Sequence, residues 1–278
     1  MVLTSLEFDH ADIYDSVEQI EAEFEAVLPK LSKVIIGNDE YPSILKLKNK
    51  YPELNWEIYG QNSVAGPKNI KTTSVGSEFD LVIQNKCVSF KTDIVGLHNV
   101  LNIASCVLVL NSYGFEVGEL QKAVLHLSLV KRRQEVRGTY KGAIVIDDFA
   151  HHPRAIKLTI DAIKTKYNNK KIITVFEPVS ATARSSIFQN EFKESLLASN
   201  AVIIAQSPIQ TTVHDQKNLN CEQLVKEVKE DGINAYCVKE LSDLREKIDL
   251  EVNDESVLLI LSNRTCIGLW ESDFVKEL

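Results

Sequence analysis

Ala143-Ile144-Val145-Ile146-Asp147-Asp148-Phe149-Ala150-His151-His152-Pro153 carries three signals in succession: an apolar run, a knot of acids and imidazoles, and a proline. The run 143–146 is too short for a helix and is unbroken rather than alternating, as in a strand covered on both faces. Pro153 suits the first turn of a helix, where its missing N–H costs nothing. The segment reads as strand, polar turn, helix. The strand signal recurs at 172–176, 201–205, 235–238 and 257–261. Helical patterns lie between these runs: Ile156, Ile160 and Ile163; Phe188, Phe192 and Leu196; Cys221, Leu224, Val225 and Val228; Leu241, Leu244 and Ile248. Such alternation with short connections predicts right-handed crossovers and a parallel, doubly wound α/β sheet.

The first half is less regular. A helix is expected from Asp15, with Glu18 completing a capping box and Val17, Ile20, Phe24 and Val27 marking its buried face. Residues 33–36 and 56–59 read as strands, and 74–80, 81–84 and 88–92 as antiparallel strands rich in turns. Helices follow near 99–111 and 117–127. Segment 131–138 is polar, charged and contains a glycine, which places a boundary between a domain at 1–130 and another at 131–278.

Composition narrows the classes of function. Of 278 residues, 44% are hydrophobic and 25% charged, which excludes wholesale disorder. A net charge of −8 repels a phosphate backbone overall and argues against a nucleic-acid binder. No apolar run approaches the roughly 20 residues that span a bilayer, and the acidic start is unlike a signal peptide. Five scattered cysteines without a CxxC pair suggest free thiols in a reducing cytoplasm rather than a zinc or disulfide framework.

In an open parallel sheet, ligands bind at the carboxyl ends of the strands. There the sequence places Asp147-Asp148, His151-His152, Glu177-Pro178, Gln206 and Ser262-Asn263. The acids and histidines beside a helix N-terminus suit a ribose, a phosphate or a metal-bridged nucleotide; equally, Asp148 caps the turn and the histidines are merely exposed. Lys131-Arg132-Arg133-Gln134-Glu135-Val136-Arg137 is either a guanidinium clamp for phosphate or a solvated charge run in which Glu135 pairs locally. Asn99 and Asn102 either read an adenine edge or cap a helix. Asp9-His10-Ala11-Asp12 is either a divalent-metal site or a surface loop.

Taken in order, Leu6-Glu7-Phe8-Asp9-His10-Ala11-Asp12, Gly96-Leu97-His98-Asn99-Val100-Leu101-Asn102, Arg132-Arg133-Gln134-Glu135-Val136-Arg137-Gly138 and Asp147 to Pro153 resemble the Mur ligases of peptidoglycan metabolism, along essentially the whole chain. Glu177-Pro178-Val179-Ser180-Ala181-Thr182 and Leu261-Ser262-Asn263 look most like the muropeptide-recycling branch, which joins UDP-N-acetylmuramate to L-alanyl-γ-D-glutamyl-meso-diaminopimelate; the branch that adds L-alanine is next. The resemblance implies the C-terminal part of a central ATPase domain at 1–130, then a Rossmann-like doubly wound domain at 131–278. It implies ATP and Mg²⁺, an acyl phosphate on the muramate carboxylate, attack by the amine, and cytoplasmic small-molecule substrates. It implies that His10 binds Mg²⁺, that Asn99 and Asn102 lie near the adenine, and that Asp148 meets the ribose. Arg133 and His151 are the implied catalytic pair at the phosphates.

The departures are as specific. A GK[ST] phosphate loop is absent: Gly66-Pro67-Lys68-Asn69 has the intervening Pro67 and no following hydroxyl. The family's UDP-sugar domain is also unmatched, so a chain inactive alone, with an N-terminal half supplied elsewhere, is expected. Val179 stands where the family usually has Arg, and Arg264-Thr265-Cys266-Ile267-Gly268 replaces a glycine-rich stretch. A non-catalytic ligand- or partner-binding module derived from the fold is the competing expectation.

Overall fold

Residues 1–31, 33–206, 208–209, 213 and 217–278 are described by the computed structural model. They fall into two units, Met1–Ser128 and Leu129–Leu278.

The first unit holds two sheets of opposite character. Strands β1 (Val2–Leu3), β2 (Ile35–Asn38) and β3 (Trp56–Tyr59) pair in parallel in that order. Helices α1 (Val17–Val27) and α2 (Pro42–Lys50) cover them over a core of Leu3, Leu28, Ile35, Ile44 and Leu47. α1 corrects the expected capping: its N-cap is Ser16, and Asp15 bonds Gln19 through both its main chain and its carboxylate. The reciprocal pair has moved one residue along, and Val27 lies 40% exposed at the helix end instead of in the buried face.

Strands β4 (Lys68–Thr73), β5 (Gly76–Ile83) and β6 (Lys86–Thr92) form the antiparallel sheet. The expected strands 74–80 and 81–84 are a single strand, β5, which buries Phe79, Leu81 and Ile83 at period two. Its true turn is Gln84-Asn85, both at positive φ, the pairing a tight hairpin requires. Phe79 stacks on Phe90 of β6, with centroids 5.6 Å apart. Helices α3 (Leu97–Ser112) and α4 (Val117–Leu125) cover this face, with Val100, Ile103, Ala104 and Val107 in the core. Glu116 and Glu119 close the capping box of α4.

The second unit is one six-stranded sheet, ordered β11-β10-β9-β12-β8-β7. Its elements in sequence are β7 (Glu135–Tyr140), β8 (Ala143–Asp148), α5 (Pro153–Lys166), β9 (Lys171–Phe176), α6 (Gln189–Leu196), β10 (Ala201–Ala205), α7 (Cys221–Glu230), β11 (Asn234–Val238), α8 (Leu241–Glu251) and β12 (Ser256–Leu261). All pairs are parallel except β7 with β8. The polar stretch 131–138 thus contains most of an edge strand. β7 escaped the sequence reading because only one of its neighbours is a strand, so its apolar signal is weak.

Alternation along β12 assigns the layers. Val257, Leu259 and Leu261 face α5, α6 and α7, whereas Leu258 and Ile260 face α8 and the C-terminal 3₁₀ turns. The chain therefore steps from β8 to β11 along one face, returns through α8 on the other, and inserts β12 between β9 and β8. That reversal is the place where such sheets open a crevice. Among the described residues no helix is long and apolar enough to cross a membrane.

Candidate active site

At the reversal, Leu261 pairs with Asp148 on one side and Phe176 on the other, so the residues following β8, β9 and β12 meet. Asp147 and Asp148 close β8 and point to opposite faces. Asp147 is 1% exposed; its Oδ2 lies 3.1 Å from Arg137 Nη1 and 3.4 Å from Arg132 Nε. Burial pushes its pKa up, against the two guanidiniums that pull it down. Arg132 also donates to the main-chain oxygens of Ser262 and Arg264, tying the loop before β7 to the loop after β12.

Asp148 is 3% exposed, and its two oxygens accept the main-chain N–H groups of Gln134 and Ala150, each at 2.8 Å. Burial raises its pKa as well, more than these bonds lower it. In this conformation Asp148 clamps the arginine loop to the approach of α5 and does not present itself to solvent. Arg132 and Gln134 in that loop have φ of 59° and 50°, a left-handed backbone that the Asp148 bond helps to hold.

Arg133 in the same loop is exposed. Its guanidinium lies over the Phe149 ring at 5.6 Å, with that of Arg132 at 5.4 Å. His151 sits edge-on to Phe149, and its Nδ1 is 3.0 Å from the Phe149 carbonyl. A carbonyl only accepts, so Nδ1 carries the proton and Nε2 is left as the acceptor of the neutral ring. His152 is the N-cap of α5 by its backbone and lays its ring edge against Phe188 at 4.9 Å. Arg133, Phe149, His151 and the start of α5 are thus one cluster. Glu135 does pair locally, accepting the Arg132 main-chain N–H at 2.8 Å.

Sequence reasoning missed Glu177 as an organiser. Its carboxylate accepts the Ser262 hydroxyl, the Cys266 N–H at 3.0 Å and the Ile267 N–H at 2.8 Å. Cys266, Ile267 and Gly268 all have positive φ, at 56°, 42° and 88°; the successive N–H groups of Cys266 and Ile267 make a concave nest for the Glu177 carboxylate, while that of Gly268 bonds the Thr265 hydroxyl at 3.3 Å. Bulk in this stretch therefore does not abolish the left-handed path of glycine; Glu177 holds it, against a cost of ~1–2 kcal/mol per non-glycine residue. The only sequence signal was an acid directly after a buried strand. Beside the nest opens a cavity of 650 Å³ lined by Glu177, Val179, Gln206, Lys239, Leu241 and Arg264, among others. Val179 brings no charge to it, whereas Lys239 and Arg264 do.

The first unit holds the remaining candidates. His10 is exposed at φ 53° and its N–H bonds the Asp9 carboxylate at 2.7 Å. Among the described residues no three His, Cys, Asp or Glu side chains gather as a metal cage. Asn99 is 8% exposed, and its amide donates to the Val95 carbonyl at 2.9 Å, so it braces the start of α3. Asn102, one turn on, is exposed.

The fold and crevice define an α/β protein of the doubly wound class. The Mur ligase middle domain matches residues 1–110, and the Mur ligase, glutamate ligase domain matches residues 132–264. The chain belongs to the Mur ligase family. A UDP-N-acetylmuramate–L-alanine ligase of Ligilactobacillus salivarius is 32% identical over 234 residues, covering 83% of this chain and 52% of that protein. A murein peptide ligase of Psychrobacter arcticus superposes with a TM-score of 0.66 at 20% identity, over 97% of this chain and 55% of that one. MurF ligase of Thermotoga maritima in complex with ADP gives 0.74 at 18% identity, over 99% and 61%. These two likenesses carry the fold alone. The chain spans about half the length of the curated relatives it matches. Those relatives are named for L-alanine, so they favour the second of the two expected branches over muropeptide recycling.

Proposed function

We propose that this chain supplies part of the active site of an ATP-dependent carboxylate–amine ligase acting on UDP-N-acetylmuramate, with L-alanine as the amine. The observation that carries this reading is the cluster of Arg133, Phe149 and His151 at the start of α5. An exposed guanidinium and first-turn N–H groups are donors that complement phosphate oxygens, and His151 Nε2 adds a further donor when the ring is protonated. The reaction is a carboxylate attacking the terminal phosphorus with ADP leaving, then the amine attacking the acyl carbon with phosphate leaving. Arg133 would hold the transferring phosphate, and His151 would donate to it from Nε2 when the ring is protonated or, when neutral, take a proton there. Asp148 would fix the loop that presents Arg133. Asn102, with Asn99 bracing the same turn, would face the adenine. Little covalent work falls to the protein, so positioning and charge are what it contributes.

A nucleotide-bound Mg²⁺ takes most of its ligands from phosphate and water, so His10 would serve as a single protein ligand. Such an ion would offset charge on the phosphates. The missing GK[ST] loop and the length of the relatives support turnover only when a segment carrying that loop is added. A second reading rests on the 650 Å³ cavity, which is roomier than L-alanine needs and suits a peptide amine such as the murein tripeptide. Phosphate release by this chain, combined with a separately expressed segment bearing the phosphate loop, tests both. Release dependent on L-alanine is expected. Release with tripeptide alone would replace the first reading by the second, and release by this chain unaided would overturn the need for the added segment.

A further inference from the structure

The first unit has a cavity of its own, of 560 Å³, walled by α2, β3, residues 63–65 and β5. β3 is the edge of its sheet and pairs only with β2. Successive side chains of a strand point to opposite faces. Trp56, Glu57 and Ile58 nevertheless all line the cavity, because no described strand on the far side of β3 keeps its two faces apart. Two glycines set the loop that follows. A side chain on Gly66 would put its first carbon 1.6 Å from the Gly60 carbonyl oxygen, so only glycine lets the two backbones touch. Asp39 fastens the same loop, its Oδ2 accepting the Ser63 hydroxyl at 2.5 Å.

Three charged side chains line this cavity: Asp39, Lys48 and Glu57. Lys48, in the last turn of α2, and Glu57 are both half-buried, and among the described residues neither has a hydrogen bond or an ion pair. Asp39 Oδ1 is buried and has no hydrogen-bond partner among them. Burial alone pushes the Glu57 carboxyl up, with no neighbouring cation to offset it. Charge drawn out of water without a partner costs free energy. The arrangement thus lacks a donor at its acids and an acceptor at its lysine. Most of the remaining wall is apolar, with Leu45, Trp56, Ile58, Ala65 and Val82. Val82 points away from the buried side of β5 and stays 37% exposed.

We propose that this cavity binds a small zwitterion with an apolar body, an α-amino acid or a short peptide, its ammonium held by Glu57 and Asp39 and its carboxylate by Lys48. The site lies wholly within the first unit and does not depend on the ligase reading. Its charges discriminate by sign. An apolar anion leaves the two acids unmet, and an apolar cation leaves Lys48 unmet. A zwitterion meets both through charge-assisted hydrogen bonds while its body covers Trp56, Ile58 and Val82. The volume lies within the range of small-molecule sites and leaves room for more than one residue of a peptide.

Isothermal titration of L-leucine and of L-leucyl-L-leucine into the nucleotide-free chain tests the proposal. Saturable binding of at least one is expected, and the tighter of the two identifies the source as amino acid or peptide. Its C-terminal amide, which lacks the carboxylate, and its N-acetyl derivative, which lacks the ammonium, should each bind about tenfold more weakly. Lys48→Met should remove the penalty on the amide, and Glu57→Gln should shrink that on the N-acetyl derivative. Three outcomes would overturn it: no saturable binding of either zwitterion, the amide and N-acetyl derivatives binding as tightly as the parent, or binding that neither substitution weakens. The first two are read on the wild-type chain, so they do not depend on a variant folding.

Discussion

Neighbouring arginines in one loop have opposite duties. Arg132 is half-buried, pairs with Asp147 and holds two carbonyls; Arg133 is exposed, packs on Phe149 and lends its charge to Asp148 from a distance. Arg132→Ala strips buried Asp147 of one partner and should cost about 3 kcal/mol in urea denaturation. Arg133→Ala should change stability by less than about 0.5 kcal/mol, so any loss of ligand binding in that variant is a loss of contact. The charges also set a pH dependence. Asp147 and Asp148 have raised pKa values, so in the window above the ordinary carboxylate range the folded chain binds more protons than the unfolded one. Their contribution to stability is therefore greatest below that window and falls as pH rises through it. Asp80 and Asp249, held below the ordinary value, work the other way at lower pH. Urea midpoints between about pH 4 and 7 should decline toward neutrality.

At the scale of elements, the loop after β12 depends on Glu177. Glu177→Gln replaces one acceptor oxygen by an NH₂ that faces a main-chain donor, so it should destabilise the chain by about 2 kcal/mol and raise amide exchange at Cys266 and Ile267. The sequence revealed the strands of the second unit because unbroken apolar runs of that length have few other uses in an α/β chain. Edge strand β7 and long strand β5 were less legible. Pairing on one side gives β7 no continuous apolar run, and the polar Asp80 in the middle of β5 resembled a turn. The sequence placed Arg133, His151 and Asp148 together but could not say that Asp148 looks inward; burial of a carboxylate depends on which main-chain N–H groups the tertiary fold brings to it. Glu177 was legible as a polar residue at a strand end and as part of a family-like stretch, but not as the acceptor that holds the loop after β12.

Across the molecule, each unit closes its own core. In the second unit both faces of the sheet are covered, by α5, α6 and α7 on one side and by α8 with the C-terminal turns on the other. A segment of residues 129–278 should therefore unfold cooperatively by itself, and Phe192→Ala in its core should cost about 3–5 kcal/mol. Calorimetry of that segment checks both. The account turns on whether the α5 cluster receives the phosphates of a nucleotide. Isothermal titration of ADP and ATP with Mg²⁺ into the chain, wild type against Arg133→Ala, measures this directly. The account predicts binding that weakens at least about tenfold in the variant, with the fold intact, for loss of a charge-assisted contact. Equal affinity in the two proteins would contradict it.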